Sequence, residues 1–210
     1  MGSHTDNPPL VVIVGQTASG KSALAIELAR HADVEIITAD ARTVYCGMDI
    51  GTAKPSASER EQVPHHLLDI VSPGEVFTVA DFKRLAQEKI ADIAARGSVP
   101  VMTGGSGLYI YAVLYDFAFR GPIDYVERAR LENLSVEDLQ KLIAERGLPM
   151  PVNNKNPRHL ISALQTGTIL KEQHTLRSNT LVIGLDTPSD QLATNIHART
   201  LAMMQSGLER

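Results

Sequence analysis

Residues 15–22 read Gly-Gln-Thr-Ala-Ser-Gly-Lys-Ser, a gapless G-x-x-x-x-G-K-[ST]. Its glycines let the backbone N–H groups of Gly15, Gln16, Thr17, Ala18, Ser19 and Gly20 curl around an anion. A helix opening at the end of the loop adds about half a positive charge. Lys21 adds a full charge, and the Ser22 hydroxyl can ligate Mg²⁺. The chemistry is phosphate binding. The motif does not say whose phosphate, so kinase and NTPase readings stay open here.

Two further segments belong at the same edge of a sheet. Thr38-Ala39-Asp40-Ala41-Arg42 follows a second apolar run. A carboxylate at the carboxyl end of a strand faces the ligand crevice in open α/β sheets. Asp40 there can hold Mg²⁺ through water or accept a proton. A helix cap, or an ion pair with Arg42, accounts for it equally well. Gly104-Gly105-Ser106-Gly107 follows a third apolar run. Its glycines permit close backbone approach, and Ser106 offers a hydroxyl. A tight turn before a helix is the simpler account.

The elements that must position these residues are legible from periodicity. Leu10 to Val14, Val34 to Thr38 and Val99 to Met102 are short apolar runs and read as buried strands, and Thr180 to Leu185 reads as one more strand. Ser22 to Arg30 carries apolar residues at helical spacing. Thr78 with Asp81 forms a capping-box pattern, and Gly97 supplies the stop for a helix over 78–96. Tyr45 to Pro64 reads mostly as loop. Ser135 to Arg146 reads as a short helix, and Asn156, Pro157 and Gly167 bound another. Pro188 opens a helix running to about Ser206. Alternating strands and helices imply an α/β fold, a parallel sheet flanked by helices. The expected organisation is a disordered start or tag remnant over 1–9, a core over 10–120, a helical insertion over 121–178, and a return strand and helix over 179–210.

The chain has 210 residues, 43% of them hydrophobic and 21% charged, which suits one globular α/β domain with a small appendage. A net charge of −4 argues against coating nucleic acid by charge alone, but it allows a local basic cleft. The one cysteine, Cys46, excludes an intramolecular disulfide and fits a reducing cytoplasm. As a small hydrophobe, Cys46 is expected to be buried. His31, His174 and His197 read as surface residues. His65-His66 lacks the partner spacing of a metal site. No apolar run approaches the ~20 residues of a membrane span, and no signal peptide is visible, so a cytoplasmic protein without membrane attachment is expected.

Five segments, in order, carry a family resemblance. Residues 15–22 are similar to the GPTASGKT loop of tRNA dimethylallyltransferases. Residues 38–45 resemble their SADSRQVY, and Gly47 to Pro55 matches GMDIGTAKP in full. Residues 64–70 resemble PHHLIDI, and residues 104–109 resemble GGTGLY. The resemblance is strong over 10–115 and thinner to 210. It implies a P-loop NTPase-like fold. It also implies transfer of a dimethylallyl group from dimethylallyl diphosphate to N6 of adenosine 37 of tRNA, with release of pyrophosphate. The loop would then hold a diphosphate in place of ATP, with Mg²⁺ as cofactor. Asp40 corresponds to the general base. Lys21, Ser22 and Arg199 would serve the leaving group. Asp40, Ala41, Arg42, Thr43, Ser106 and Arg128 would contact tRNA. Arg128 by itself reads equally well as part of a solvated helix face.

The sequence also departs from the family. A segment similar to NDPQRLxRALE appears as Lys155-Asn156-Pro157-Arg158-His159-Leu160-Ile161-Ser162-Ala163-Leu164-Gln165. Family arginines fall on His159 and Ser162, and Arg158 restores part of the charge, so Arg158 and His159 are carried as tRNA contacts. On the last helix the first of two family arginines becomes Asn195, while Arg199 keeps the second. The family usually continues beyond this point into an arginine- and aromatic-rich stretch, so the chain resembles a short or C-terminally truncated member. A monomer is expected. Adenylate isopentenyl transfer, small-molecule phosphorylation and a non-catalytic tRNA-binding remnant are the competing functions.

Overall fold

The computed structural model describes residues 7–115, 124–166 and 175–208. Leu10–Gly15 forms β1 and Lys21–Ala29 forms α1. Val34–Thr38 is β2, Ala57–Gln62 is α2, and the two residues His65–His66 are β3. Val79–Ala95 is α3, Val99–Thr103 is β4, and Gly107–Leu114 is α4. Tyr125–Glu132, Val136–Glu145 and Pro157–Thr166 are α5, α6 and α7. Thr180–Leu185 is β5 and Ser189–Gln205 is α8.

The five strands pair in parallel in the order β3-β2-β4-β1-β5. Ile13 lies beside Thr103, Thr38 beside Thr103 on the other flank, and Gly15 beside Leu185. The pleat sends alternate residues to opposite faces. Val12, Ile37 and Met102 pack with Phe82, Ala86, Ile90 and Ile110 of α3 and α4. Ile13, Ile36 and Val101 pack with Ala25 and Ile26 of α1. Both faces of β1, β2 and β4 are therefore covered, as continuous apolar strands require, whereas no residue of β5 is buried.

Helix α3 starts where its cap dictates. Thr78 and Asp81 make both bonds of the capping box. One stripe of α3 (Phe82, Ala86, Ile90, Ile93) is buried, and each such large side chain contributes about 1.5–3 kcal/mol. The segment 45–64 is mostly loop as expected, but it also contains α2. Ser56 and Glu59 form a full capping box there, but no residue of α2 is buried. A helix without an apolar stripe leaves no periodic signal. The helix expected to stop at Gly167 runs through Thr166, and Gly167 lies outside the described residues.

The chain divides into two compact units, one from residues 1–117 and 174–210, the other from 118–173. The second holds α5, α6 and α7 around Leu131, Leu139, Ile143, Leu160, Ile161 and Leu164. Among the described residues no helix is long and apolar enough to cross a membrane.

Candidate active site

The sheet order sets β4 between β1 and β2. The loops that follow these three strands therefore stand side by side at the carboxyl edge, where open α/β sheets bind ligands. Ala39 N–H donates to the Thr103 carbonyl at 2.8 Å, and Ser106 N–H donates to the Ala39 carbonyl at 3.0 Å. Ser106 Oγ accepts from Ala41 N–H at 2.8 Å. Asp40 is thus clamped to the glycine loop from both sides. Its Oδ1 accepts from Arg42 N–H at 2.8 Å and from Thr43 N–H at 3.4 Å. The capping role and an open second oxygen coexist, since Oδ2 points at Gly105. A Cβ on Gly104 would lie 2.0 Å from the Ala39 carbonyl oxygen, and one on Gly105 would lie 2.7 Å from Asp40 Oδ2. Only glycine admits that approach.

Next to it, the phosphate loop turns through Ala18 at φ 63° and Gly20 at φ 90°, both left-handed. Gln16, Thr17 and Gly20 are exposed, and Ser22 is exposed in the first turn of α1. Lys21 Nζ donates to the carbonyls of Gly15 at 2.9 Å and Gln16 at 2.6 Å. Its ammonium is held below the ordinary lysine range by burial and then by the Arg199 guanidinium, with Asp40 opposing both. One cation, a second cation and one carboxylate therefore act on each other within one site. Ser19 Oγ is sealed from solvent and has no hydrogen-bond partner among the described residues. A buried polar atom in that state is normally satisfied by a ligand or an ordered water.

Helix α8 closes the cradle. Asn195 Nδ2 donates to the Ala18 carbonyl at 3.0 Å, and Arg199 donates to the Thr52 carbonyl at 3.4 Å. The i, i+4 spacing gives both residues the same helix face. A cavity of about 280 Å³ runs from Val14 and Gly15 past Gly104 and Gly105 to Ile110, Tyr111, Leu114 and Tyr115. It joins the phosphate loop to the loop that touches Asp40. A wider hollow of about 580 Å³ is lined by Arg42, by Gly47 to Thr52, and by Gly207 and Leu208.

The other expected contacts are distributed as follows. Arg42 is exposed and lines the wider hollow. Ala41 and Ser106 are half-buried, with the Ser106 oxygen engaged by Ala41. Thr43 is only 4% exposed and its hydroxyl turns back to the Asp40 carbonyl at 3.5 Å, so little of it is open to RNA. Arg128, Arg158 and His159 belong to the second unit. Arg128 pairs with Glu132 at 2.8 Å, while Arg158 and His159 are exposed.

Cys46 corrects a further expectation. It is exposed, and its thiol donates to the Asp69 carbonyl at 3.2 Å. His31 and His197 are exposed as expected, and His174 lies outside the described residues. His66 Nε2 donates to Glu35 Oε2 at 2.6 Å, which is a structural role. Among the described residues no group of three or more His, Cys, Asp or Glu is placed to hold a metal.

Two arrangements escape sequence reading. Lys54, its side chain 1% exposed, donates to Asp49 and Asp69 at 2.6 Å each and to the Tyr45 carbonyl at 2.9 Å. Burial works against its charge, but the two aspartates outweigh it and raise the ammonium above the ordinary range. Arg60 also reaches Asp69 at 3.1 Å. This knot ties residues 45–54 to residues 66–71. Tyr109 stacks on Phe82 with ring centroids 4.3 Å apart. Burial raises its phenol, and Tyr45 and Asp40 raise it further, so it stays protonated near the acid. Neither the lysine in a glycine-rich segment nor the tyrosine in a helix carries a spacing signal that would announce this.

The comparisons agree with that geometry. A family model described as IPP transferase matches residues 43–210. The tRNA dimethylallyltransferase of Bacillus subtilis (strain 168) is 40% identical over 95% of this chain and 69% of its own length. That of Roseiflexus sp. (strain RS-1) is 42% identical over 95% of this chain and 70% of its own. The crystal structure of the full-length tRNA isopentenylpyrophosphate transferase from Bacillus halodurans superposes with a TM-score of 0.68 at 38% identity, covering 96% of this chain and 67% of that one. A eukaryotic dimethylallyltransferase crystallised acting on tRNA gives a TM-score of 0.76 at 25% identity, covering 95% and 53%. A parallel sheet with this phosphate loop, together with identity of this extent, places the chain in the IPP transferase family, among the tRNA dimethylallyltransferases.

Proposed function

We propose that this chain transfers a dimethylallyl group from dimethylallyl diphosphate to N6 of adenosine 37 of tRNA, in the cytoplasm and as a monomer. The carrying observation is the single cavity that joins the phosphate loop at Gly15 to Gly105, the residue facing Asp40 Oδ2. A diphosphate in the cradle leaves its five-carbon tail in that apolar cavity. An adenine approaching from the Asp40 side has to leave its stack, as enzymes acting on a base require.

In this reading the N6 lone pair attacks C1 of the donor as the C1–O bond breaks. The bonding electrons leave with pyrophosphate, and the N6 proton passes to Asp40 Oδ2. Asp40 Oδ1 stays engaged by two backbone N–H groups, which fixes the acid without neutralising it. Lys21, released from the Gly15 and Gln16 carbonyls, and Arg199 stabilise charge where it develops on the leaving group. The donor set suits Mg²⁺, which keeps waters and phosphate oxygens and needs few protein ligands. Ser22 would hold the ion directly, and the bound ion would neutralise leaving-group charge. Arg42, Ala41 and Ser106, with Arg128, Arg158 and His159 of the second unit, are the proposed tRNA contacts. Thr43 acts through the backbone.

The test is a single-turnover assay with dimethylallyl diphosphate and Mg²⁺, offering tRNA or AMP. Product on tRNA alone is expected. Product on AMP alone would assign an adenylate prenyltransferase. Tight tRNA binding with no product on either acceptor would assign a non-catalytic remnant.

A further inference from the structure

We propose that Tyr111 and Tyr115 set the length of the prenyl chain this protein accepts, by closing the far end of the donor cavity to anything longer than one isoprene unit. The proposal rests on the prenyl-transfer reading above and deepens it.

One face of α4 builds the cavity wall. Gly107, Ile110, Tyr111 and Leu114 line it, with the C-cap residue Tyr115 after them. That spacing is the i, i+3, i+4, i+7, i+8 stripe of a single helix side. The stripe begins beside Gly104 and Gly105, where the acid sits. At 1.5 Å per residue it ends roughly 12 Å further on, at Tyr115. The cavity starts at Val14 and Gly15, the last strand residues before the phosphate cradle. The charged end of a donor is therefore fixed at one end of the cavity, and its hydrocarbon must run along α4 toward the tyrosines.

The tyrosines interact as a pair. Their ring centroids are 4.3 Å apart at an interplanar angle of 38°. Such a contact adds to each ring's own packing and opposes swinging one ring away. They occupy successive turns of the same stripe, so together they obstruct the direction in which a second isoprene unit would extend. The cavity volume, about 280 Å³, falls just below the usual range for ligand pockets, about 300–1,000 Å³. A cavity of that size has room for a short branched tail and little beyond it. Among the described residues the remaining lining is glycine or aliphatic, so the two tyrosines are its largest side chains.

The experiment measures binding and transfer separately. Dimethylallyl and geranyl diphosphate are titrated by calorimetry, with Mg²⁺, into the wild type and into Tyr111→Ala, Tyr115→Ala, Tyr111→Phe and Tyr115→Phe. Inorganic pyrophosphate serves as the control for an intact cradle. The same donors are then offered with tRNA. The wild type should prefer dimethylallyl diphosphate by about 100-fold, and either alanine variant should reduce that preference at least tenfold. Pyrophosphate affinity should be unchanged within about twofold, and the phenylalanine variants should keep the wild-type preference. Equal binding of both donors by the wild type would overturn the proposal. So would alanine variants that bind pyrophosphate normally and keep the full preference. Donor binding without transfer to tRNA would remove the transferase reading and leave the gate decided by the titrations.

Discussion

Asp40 Oδ2 stands 2.7 Å from the point that a Cβ on Gly105 would occupy, so the glycine exists to make room for the carboxylate. Gly105→Ala is expected to push the acid out of line while leaving the phosphate cradle whole. The transfer rate should fall about 100-fold with little change in donor affinity, the loss expected when a proton acceptor is misplaced. Rapid-quench kinetics beside pyrophosphate titration measures both. A parallel loss of affinity would show that the loop supports the cradle instead. Gly104→Ala meets backbone, not a side chain, and should reduce soluble yield.

Lys54→Met tests the buried knot beneath the wider hollow. Asp69 keeps Arg60 as a partner, and Asp49, with 63% of its side chain exposed, can turn to water. The cost should therefore fall at the low end for breaking a buried pair, about 3 kcal/mol. Urea unfolding reads it. A loss under about 1 kcal/mol would mean that the strained turns at Ala53, Leu67 and Asp69 hold without the ammonium.

Glu35 contributes to acid stability. Burial works against its ionised form, but hydrogen bonds from Arg96 and then His66 outweigh burial and hold the carboxyl below the ordinary range. A folded-state pKa below the unfolded one contributes stability that is complete above the unfolded value. That contribution is lost as pH falls through the folded value, hence below about pH 4.5. Glu35→Gln should remove that part of the acid slope in a pH series of urea midpoints. A slope identical to wild type would assign acid sensitivity to other carboxylates.

Asn195 sits on the cradle beside Arg199, bonded to the Ala18 carbonyl. Asn195→Arg would set a second guanidinium one helical turn from Arg199. Pyrophosphate should bind about tenfold more tightly, equivalent to ~1.4 kcal/mol for one added charge-assisted contact. Calorimetry at fixed Mg²⁺ decides it. Weaker binding would mean that the Asn195 amide is needed to hold Ala18 in its left-handed turn.

The sheet and the phosphate loop were readable because strands buried on both faces leave unbroken β-branched runs, and because the loop's glycines are a local requirement. Asp40 was readable only as an ambiguity, and the ambiguity was physical: one oxygen caps the backbone while the other stays open. Helix α2 was unreadable because it buries nothing, and its capping box was the one available sign. Cys46 was misread because composition cannot tell that its loop runs over the surface. Tyr109 and Lys54 gain their roles from neighbours far away in sequence, to which no spacing rule applies.

The pairing of Leu10 with Thr180 and of Gly15 with Leu185 has a consequence for how the protein matures. The anion grip is assembled from segments 177 residues apart in sequence, Ala18 and Asn195, because α8 follows β5. A ribosome that has released only the first strands has made a cradle lacking one wall. Loop closure over such a separation is slow. Pyrophosphate affinity measured on nascent or refolding chains therefore times the moment when the last strand joins the sheet.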